Sequence, residues 1–198
     1  TGDLLCHPQQ PRINGRRTTQ RPAFSMTSNL SLAARVVSEG FLPARSALLQ
    51  GPREPVSGPV SPSRIRGMLL GLAIGDALGN TSESLSAGER AERHGEIRDY
   101  LPNSRSAGRR VGLPSDDSQL AFWTLESLLE RGGLDPDDLS ARFASREIFG
   151  PGKSMQQFLR NREQGAASWY HYGAESAGNG ALMRIAPVVL LHPQGTSA

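Results

Sequence analysis

Arg64-Ile65-Arg66-Gly67-Met68-Leu69-Leu70-Gly71-Leu72-Ala73-Ile74-Gly75-Asp76-Ala77-Leu78-Gly79 is the stretch on which the fold turns. Gly67, Gly71, Gly75 and Gly79 recur every four residues with apolar side chains between them, so the stretch reads as one helix carrying a bare stripe. Each helical glycine costs roughly 1 kcal/mol against alanine, and four of them imply close helix packing or a ligand on that face. Asp76 stands out on this apolar background, because a carboxylate is costly to bury unless it is hydrogen-bonded, paired or bound to metal. Spacing alone leaves those readings open. Asp76 also ends the longest apolar run, Met68 to Gly75, well short of the ~20 residues that a membrane-spanning helix needs.

Downstream, the chain keeps a helical texture. Ser115-Asp116-Asp117 opens a second helix: Asp116 with Gln119 fits a capping box, and Ser115 could cap instead. Leu120, Trp123, Leu125, Leu128 and Leu129 give its apolar face, and Gly132-Gly133 ends it. Asp135-Pro136 is a cap followed by proline at the first helical position, with a helix expected to about Glu147. Gly150-Pro151-Gly152 reads as a turn, Ser154 to Arg162 as a short helix and Ala181 to Leu191 as a last one. No alternating strand pattern appears, so the fold class is all-α.

Upstream, the texture differs. Eight of the fourteen prolines and seven arginines against three acids fall in residues 1–63. Residues 1–63 therefore read as a disordered Pro/Arg-rich leader, relieved only by a short amphipathic stretch from Leu30 to Leu49. The folded part is expected over residues 64–198. From Met26 the leader has a weak transit-peptide composition, so a cytoplasmic location is expected with an organelle as the alternative. The net charge of +3 sits in the leader, whereas residues 64–198 carry one negative charge more than positive. That distribution argues against nucleic-acid binding, which needs the basic excess on the folded face. A single cysteine excludes a disulfide framework and a cysteine-rich zinc site. His7, His94, His171 and His192 share no helix face, which argues against histidine-bound zinc.

Three places carry candidate chemistry. Asp76 lies at the end of the Gly-striped helix, with Glu83 four residues past Gly79. Ser115-Asp116-Asp117-Ser118 offers adjacent hard oxygen ligands suited to Mg²⁺ or Mn²⁺, although acids are also common in a helix's first turn without any metal. Gly178-Asn179-Gly180-Ala181 could let backbone amides approach a phosphate, or be a plain Gly-rich turn. Gly150-Pro151-Gly152-Lys153-Ser154 looks like the tail of a P-loop but fails, since Glu147 stands where the first glycine belongs.

Together, three motifs resemble the ADP-ribosylglycohydrolase family. Arg66 to Gly79 with Glu83 resembles its opening motif, Ser115-Asp116-Asp117-Ser118-Gln119 its acidic metal motif, and Ala177-Gly178-Asn179-Gly180-Ala181-Leu182-Met183-Arg184-Ile185-Ala186-Pro187 its ligand loop. The resemblance covers residues 64 to about 192. It implies an orthogonal helix bundle with a binuclear Mg²⁺ or Mn²⁺ site, and hydrolysis of the bond joining ADP-ribose to a protein side chain or a related ADP-ribosyl compound. By that resemblance Ser115, Asp116 and Asp117 are metal ligands, Glu83 and Asp117 the catalytic acids, and Gly178, Asn179, Gly180 and Ala181 line the ADP-ribose cleft, with Met183 and Arg184 as support. The family's second acidic cluster, an Asp-x-Asp-Ser/Thr type, lies in its C-terminal half. Here Asp135-Pro136-Asp137 comes too early and explains itself as a helix start, so the chain is expected to be an N-terminal part. Two alternatives are an inactive, crystallin-like ADP-ribose-binding or structural relative, and a small helical interaction module whose acids are only caps.

Overall fold

The computed structural model describes Ser31, residues 34–40 and residues 61–191. The expected disorder of residues 1–63 lies mostly outside the described residues. Of the Leu30–Leu49 stretch, residues 34–38 are helical, with Val36 and Val37 half-buried.

Five α-helices follow. They are α1 (Pro62–Gly79), α2 (Ala87–His94), α3 (Asp116–Arg131), α4 (Pro136–Ser145) and α5 (Lys153–Glu163), joined by short 3₁₀ segments. Among the described residues the only β-type pairing is an isolated bridge between Pro102 and Arg110, so the all-α expectation holds.

The helix boundaries follow from their caps. Ser61 caps α1 by accepting from the Arg64 amide at 3.4 Å, with Pro62 in the first turn, where a missing N–H costs nothing. Asp135 caps α4 by accepting from the Asp138 amide at 3.0 Å. Gly132 ends α3 in the left-handed region at φ 71°, which favours glycine. At α3 the cap is Ser115, not the Asp116–Gln119 box: its hydroxyl accepts from the Asp117 amide at 3.3 Å. Gln119 instead accepts from the Phe149 amide at 2.7 Å and donates to the Glu147 carbonyl at 3.2 Å, tying α3 to the α4–α5 loop.

One helix has no counterpart in the sequence reading, and one expectation fails. Helix α2 forms on a polar stretch where Ser86 and Glu89 make a full capping box. The helix expected over Ala181–Leu191 is instead two 3₁₀ segments, Leu182–Arg184 and Ala186–Leu191. Pro187, almost fully buried, lacks the amide that a continuous α-helix would need there.

The core is small. Leu120, Phe143 and Met155 form it, with Trp123, Leu139, Ile148, Phe158, Leu159 and Met183 packed around. Helix α3 is its spine, flanked by α4 and the 3₁₀ segments. Thr124, Ser127 and Leu128 point inward while Leu129 is 63% exposed, so the buried face is rotated from the one expected. An ion-pair network joins α3 to α4: Asp138 accepts from Arg142 at 2.5 Å, Arg131 at 2.6 Å and Ser127 at 2.7 Å. These hydrogen bonds, led by Arg142, hold the Asp138 carboxyl far below the usual range. Arg142 also pairs with Glu130, and Arg146 reaches Glu126 while stacking over Trp123.

Helix α1 sits apart from this core. Ala77 is its one buried residue, and Leu70 and Ile74 are about half exposed. Its glycine stripe meets no close packing among the described residues, since a Cβ at Gly67, Gly71, Gly75 or Gly79 would find nothing within 4 Å.

Candidate functional site

Asp76 settles how α1 meets α3. Its carboxylate accepts five hydrogen bonds: the Ser115 amide at 2.8 Å, the Ser115 hydroxyl at 2.7 Å, the Ser118 amide at 3.1 Å, the Ser118 hydroxyl at 2.7 Å and the Asn80 amide group at 3.1 Å. Two of these donors are orphan amides at the start of α3, whose dipole favours a negative charge there. Burial alone would push the Asp76 carboxyl up, but the bonds from Ser118, Ser115 and Asn80 hold it below its ordinary value. Asn80 also donates to the Leu113 carbonyl at 2.8 Å, closing the same joint. Of the readings open for Asp76, the structure selects the hydrogen-bonded anchor.

The anchor fixes Ser115, Asp116 and Asp117 at the first turn of α3. Asp116 is buried and Asp117 half-buried. Burial pushes the Asp116 carboxyl up, with Glu83 and Asp76 adding repulsion and the Gly152 backbone opposing. Burial likewise raises Asp117, followed by the charges of Asp76 and Asp116. The result is a knot of carboxylates whose ionised forms burden one another.

Asp116 and Asp117 open onto a cleft of about 550 Å³. Glu83 lines it from the turn after α1, and Gly178, Asn179, Gly180 and Ala181 line it from the chain following α5. Leu120, Phe143, Met155 and Phe158 make its floor, so core and cleft share side chains. Of the residues singled out in sequence, Glu83, Asp116, Asp117 and Gly178 to Ala181 thus meet at one cleft, whereas Asp76 and Ser118 are joined to each other at the α1–α3 contact and Ser115 lines an adjoining hollow of about 190 Å³ with Glu83 and Asp116. A further hollow of about 330 Å³ brings Gly75 and Gly79 beside Asp76, Glu83 and Asp117.

Three cleft residues carry no site role in the sequence reading. Lys153 and Ser154 belong to the failed P-loop match, yet they line the cleft at the start of α5. Ser154 donates to the Ser176 hydroxyl at 2.8 Å, and that hydroxyl accepts from the Gly178 amide at 3.1 Å, so α5 holds the Gly-Asn-Gly loop in place. The usable signal was Gly152 directly before a helix. Arg184, read as loop support, faces the cleft with its guanidinium 5.3 Å from the Phe143 ring centre. Burial pushes its pKa down, against the opposing charge of Asp116.

The donor set suits a hard divalent cation in kind, being all oxygen and net negative, with carboxyls that burial and mutual repulsion raise. Among the described residues no three His, Cys, Asp or Glu converge closely enough to hold an ion by themselves. Ser115, Asp116 and Asp117 offer two carboxylates and a hydroxyl at this point of the chain. No helix among the described residues is long and apolar enough to cross a membrane.

A family model described as ADP-ribosylglycohydrolase matches residues 58–198. An uncharacterized protein of Archaeoglobus fulgidus is 35% identical over 136 residues, spanning 65% of this chain and 43% of that protein. The ADP-ribosyl-(dinitrogen reductase) glycohydrolase of Rhodospirillum rubrum is 32% identical over 139 residues, spanning 68% of this chain and 47% of that enzyme. A solved structure described as an ADP-ribosylglycohydrolase-related protein complex superposes with a TM-score of 0.51 at 38% identity, covering 64% of this chain and 42% of that one. The chain thus spans less than half the length of each of these relatives. With three motifs in order, a helical fold that gathers them at one cleft and a match across most of its length, the chain belongs to the ADP-ribosylglycohydrolase family.

Proposed function

We propose that this chain supplies the ADP-ribose-binding half of a metal-dependent hydrolase that cleaves the glycosidic bond between ADP-ribose and a protein side chain or a related ADP-ribosyl compound. The observation that carries the reading is the convergence of Glu83, Asp116, Asp117 and the Gly178–Ala181 loop on one cleft. In such a reaction the bond from the anomeric carbon to the leaving group breaks and water adds its oxygen to that carbon. Positive charge builds on the ribose as the leaving group departs. Glu83 and Asp117 stabilise that charge or move the water's proton. Ser115, Asp116 and Asp117 would hold Mg²⁺ or Mn²⁺, in a binuclear centre completed by ligands from elsewhere in the whole protein. When bound, such an ion binds ribose hydroxyls and acidifies a water. With the Gly178 amide held by the Ser176 hydroxyl, the Gly180 amide is the loop donor that faces the diphosphate, and the Asn179 side chain reads the ribose or base.

The test is calorimetric titration of the chain with ADP-ribose, once with Mg²⁺ and once with EDTA. Saturable binding is expected with Mg²⁺, and EDTA or the double substitution Asp116→Asn, Asp117→Asn is expected to abolish it. Unchanged binding in the double variant removes the metal assignment. No binding by a cooperatively melting wild-type chain counts against the ADP-ribose reading itself.

A further inference from the structure

Helix α2 adds nothing to the core. None of its residues is buried, although its capping box fixes where it starts. Among the described residues, one hydrogen bond ties it to the chain before its cap: Arg90 donates through Nη2 to the Ser82 carbonyl at 3.3 Å. That carbonyl also accepts from the Leu85 amide at 3.1 Å, and Ser82 is almost fully buried. The Ser82 carbonyl belongs to the planar peptide whose other end is the Glu83 nitrogen, so a bond that holds the oxygen also orients the entry to Glu83. Glu83 is exposed, and its backbone rather than side-chain packing sets where its carboxylate stands. That carboxylate borders the cleft and both hollows beside it.

The remainder of the turn is tied down at its start. Asn80 donates to Asp76 and to the Leu113 carbonyl, and the Thr81 hydroxyl accepts from Asn103 at 3.4 Å. Arg90 holds the other end. It is half-buried and is the cationic side chain in the lining of the hollow of about 330 Å³, opposite Asp76, Glu83 and Asp117. Its Nε is buried without a hydrogen-bond partner. Leaving a buried donor unpaired is costly, so stability alone does not favour an arginine here. Local rules broken at a cost mark functional sites.

We propose that Arg90 is a positioning residue: by holding the Ser82 carbonyl it fixes the peptide that leads into Glu83, and with it the place of the Glu83 carboxylate at the cleft. This rests on the hydrolase reading for what Glu83 does there, but not for the positioning itself.

The test compares the full chain with Arg90→Met, which keeps length but loses the donors, with Arg90→Lys, and with Arg93→Gln, an exposed arginine three residues on in the same helix. The ¹⁵N heteronuclear NOE of the Glu83 amide is expected to fall in Arg90→Met. It is expected to recover in part in Arg90→Lys, whose ammonium still donates, and to keep its wild-type value in Arg93→Gln. All three variants are expected to melt cooperatively. An unchanged Glu83 amide in Arg90→Met, or an equal fall in Arg93→Gln, overturns the assignment. Loss of cooperative melting in Arg90→Met overturns it too, because Arg90 is then a residue of the fold. Titration with ADP-ribose and Mg²⁺ then tests the link to the site. Arg90→Met and Glu83→Gln are each expected to weaken binding at least about threefold, and the double variant no more than the stronger single one, since one acts through the other. Losses that simply add overturn the link to Glu83. Where wild type binds no ADP-ribose, the NOE still decides the positioning, and the hydrolase reading alone falls.

Discussion

Asp76 gathers four donors from the start of α3 and one from Asn80 onto a single carboxylate. Asp76→Ala is therefore expected to cost about 2–4 kcal/mol in denaturant unfolding, since it leaves partly buried amides and hydroxyls without an acceptor. Asp76→Asn is expected to cost less, because one carbonyl oxygen still accepts. Asn179 is the contrasting case. Its backbone carbonyl accepts from the Leu182 amide at 2.7 Å, which any residue can do. Asn179→Ala is thus expected to leave the unfolding midpoint unchanged while weakening ADP-ribose binding, and a collapsed melt would mark a turn residue instead. At this scale the sequence showed that Asp76 and the Ser115–Ser118 acids needed an explanation. It did not show that they explain one another, because their contact crosses 39 residues of chain and leaves no local pattern. Arg184 was hidden for the same reason: its setting is made by Phe143 and Asp116, both distant in sequence.

Helix caps were the most legible elements, because a cap is a contact over two or three residues. Asp135 and Gly132 behave as their residue types dictate. The capping box at Ser86 is equally local, but it opens a polar stretch with no apolar periodicity to announce a helix. The stretch after Ala181 misled in the opposite way, its apolar residues outweighing Pro187. Two expectations belong to single elements. Gly71→Ala on α1 is expected to stabilise the chain by up to about 1 kcal/mol, since the added methyl meets open space in an unstrained helix. A loss of stability would mean that another surface covers that stripe. The second concerns the α3–α4 joint. Asp138 has its folded pKa lowered below the ordinary 3.8, so its stabilisation is complete above that pH. It is lost as pH falls from about 3.8 through the folded value. Stability measured against pH should show an acid limb that Asp138→Asn reduces, at the cost of lower stability at neutral pH.

Across the whole molecule, one set of side chains serves as both core and cleft floor. Leu120, Phe143 and Met155 hold the helices together and face the candidate ligand space. Leu120→Ala is expected to cost about 2–5 kcal/mol through lost burial and the void it leaves. Because the same void opens beneath the cleft, ligand affinity is expected to fall in parallel, as fluorescence or calorimetric titration of the folded variant would show. A variant that loses stability but binds normally would separate core from site. The all-α class was legible at this scale from the absence of alternating strands. How weakly α1 would be covered was not, since an apolar glycine-striped sequence looks the same whether or not a neighbour lies against it.

The Asp76 joint has a consequence in time as well as in space. Residues 39 and 42 positions apart must meet before Asp116 and Asp117 take up their places. Closing a loop of that length costs about 3 kcal/mol of chain entropy from its length alone. Helix α3 can form and pack on α4 without that closure, because its core partners do not include α1. The acids therefore come into register late, after most of the apolar surface is already buried. A refolding experiment that follows amide protection should show the α3–α4 pair first, with Ser115 and Ser118 protected in a slower phase that Asp76→Ala abolishes.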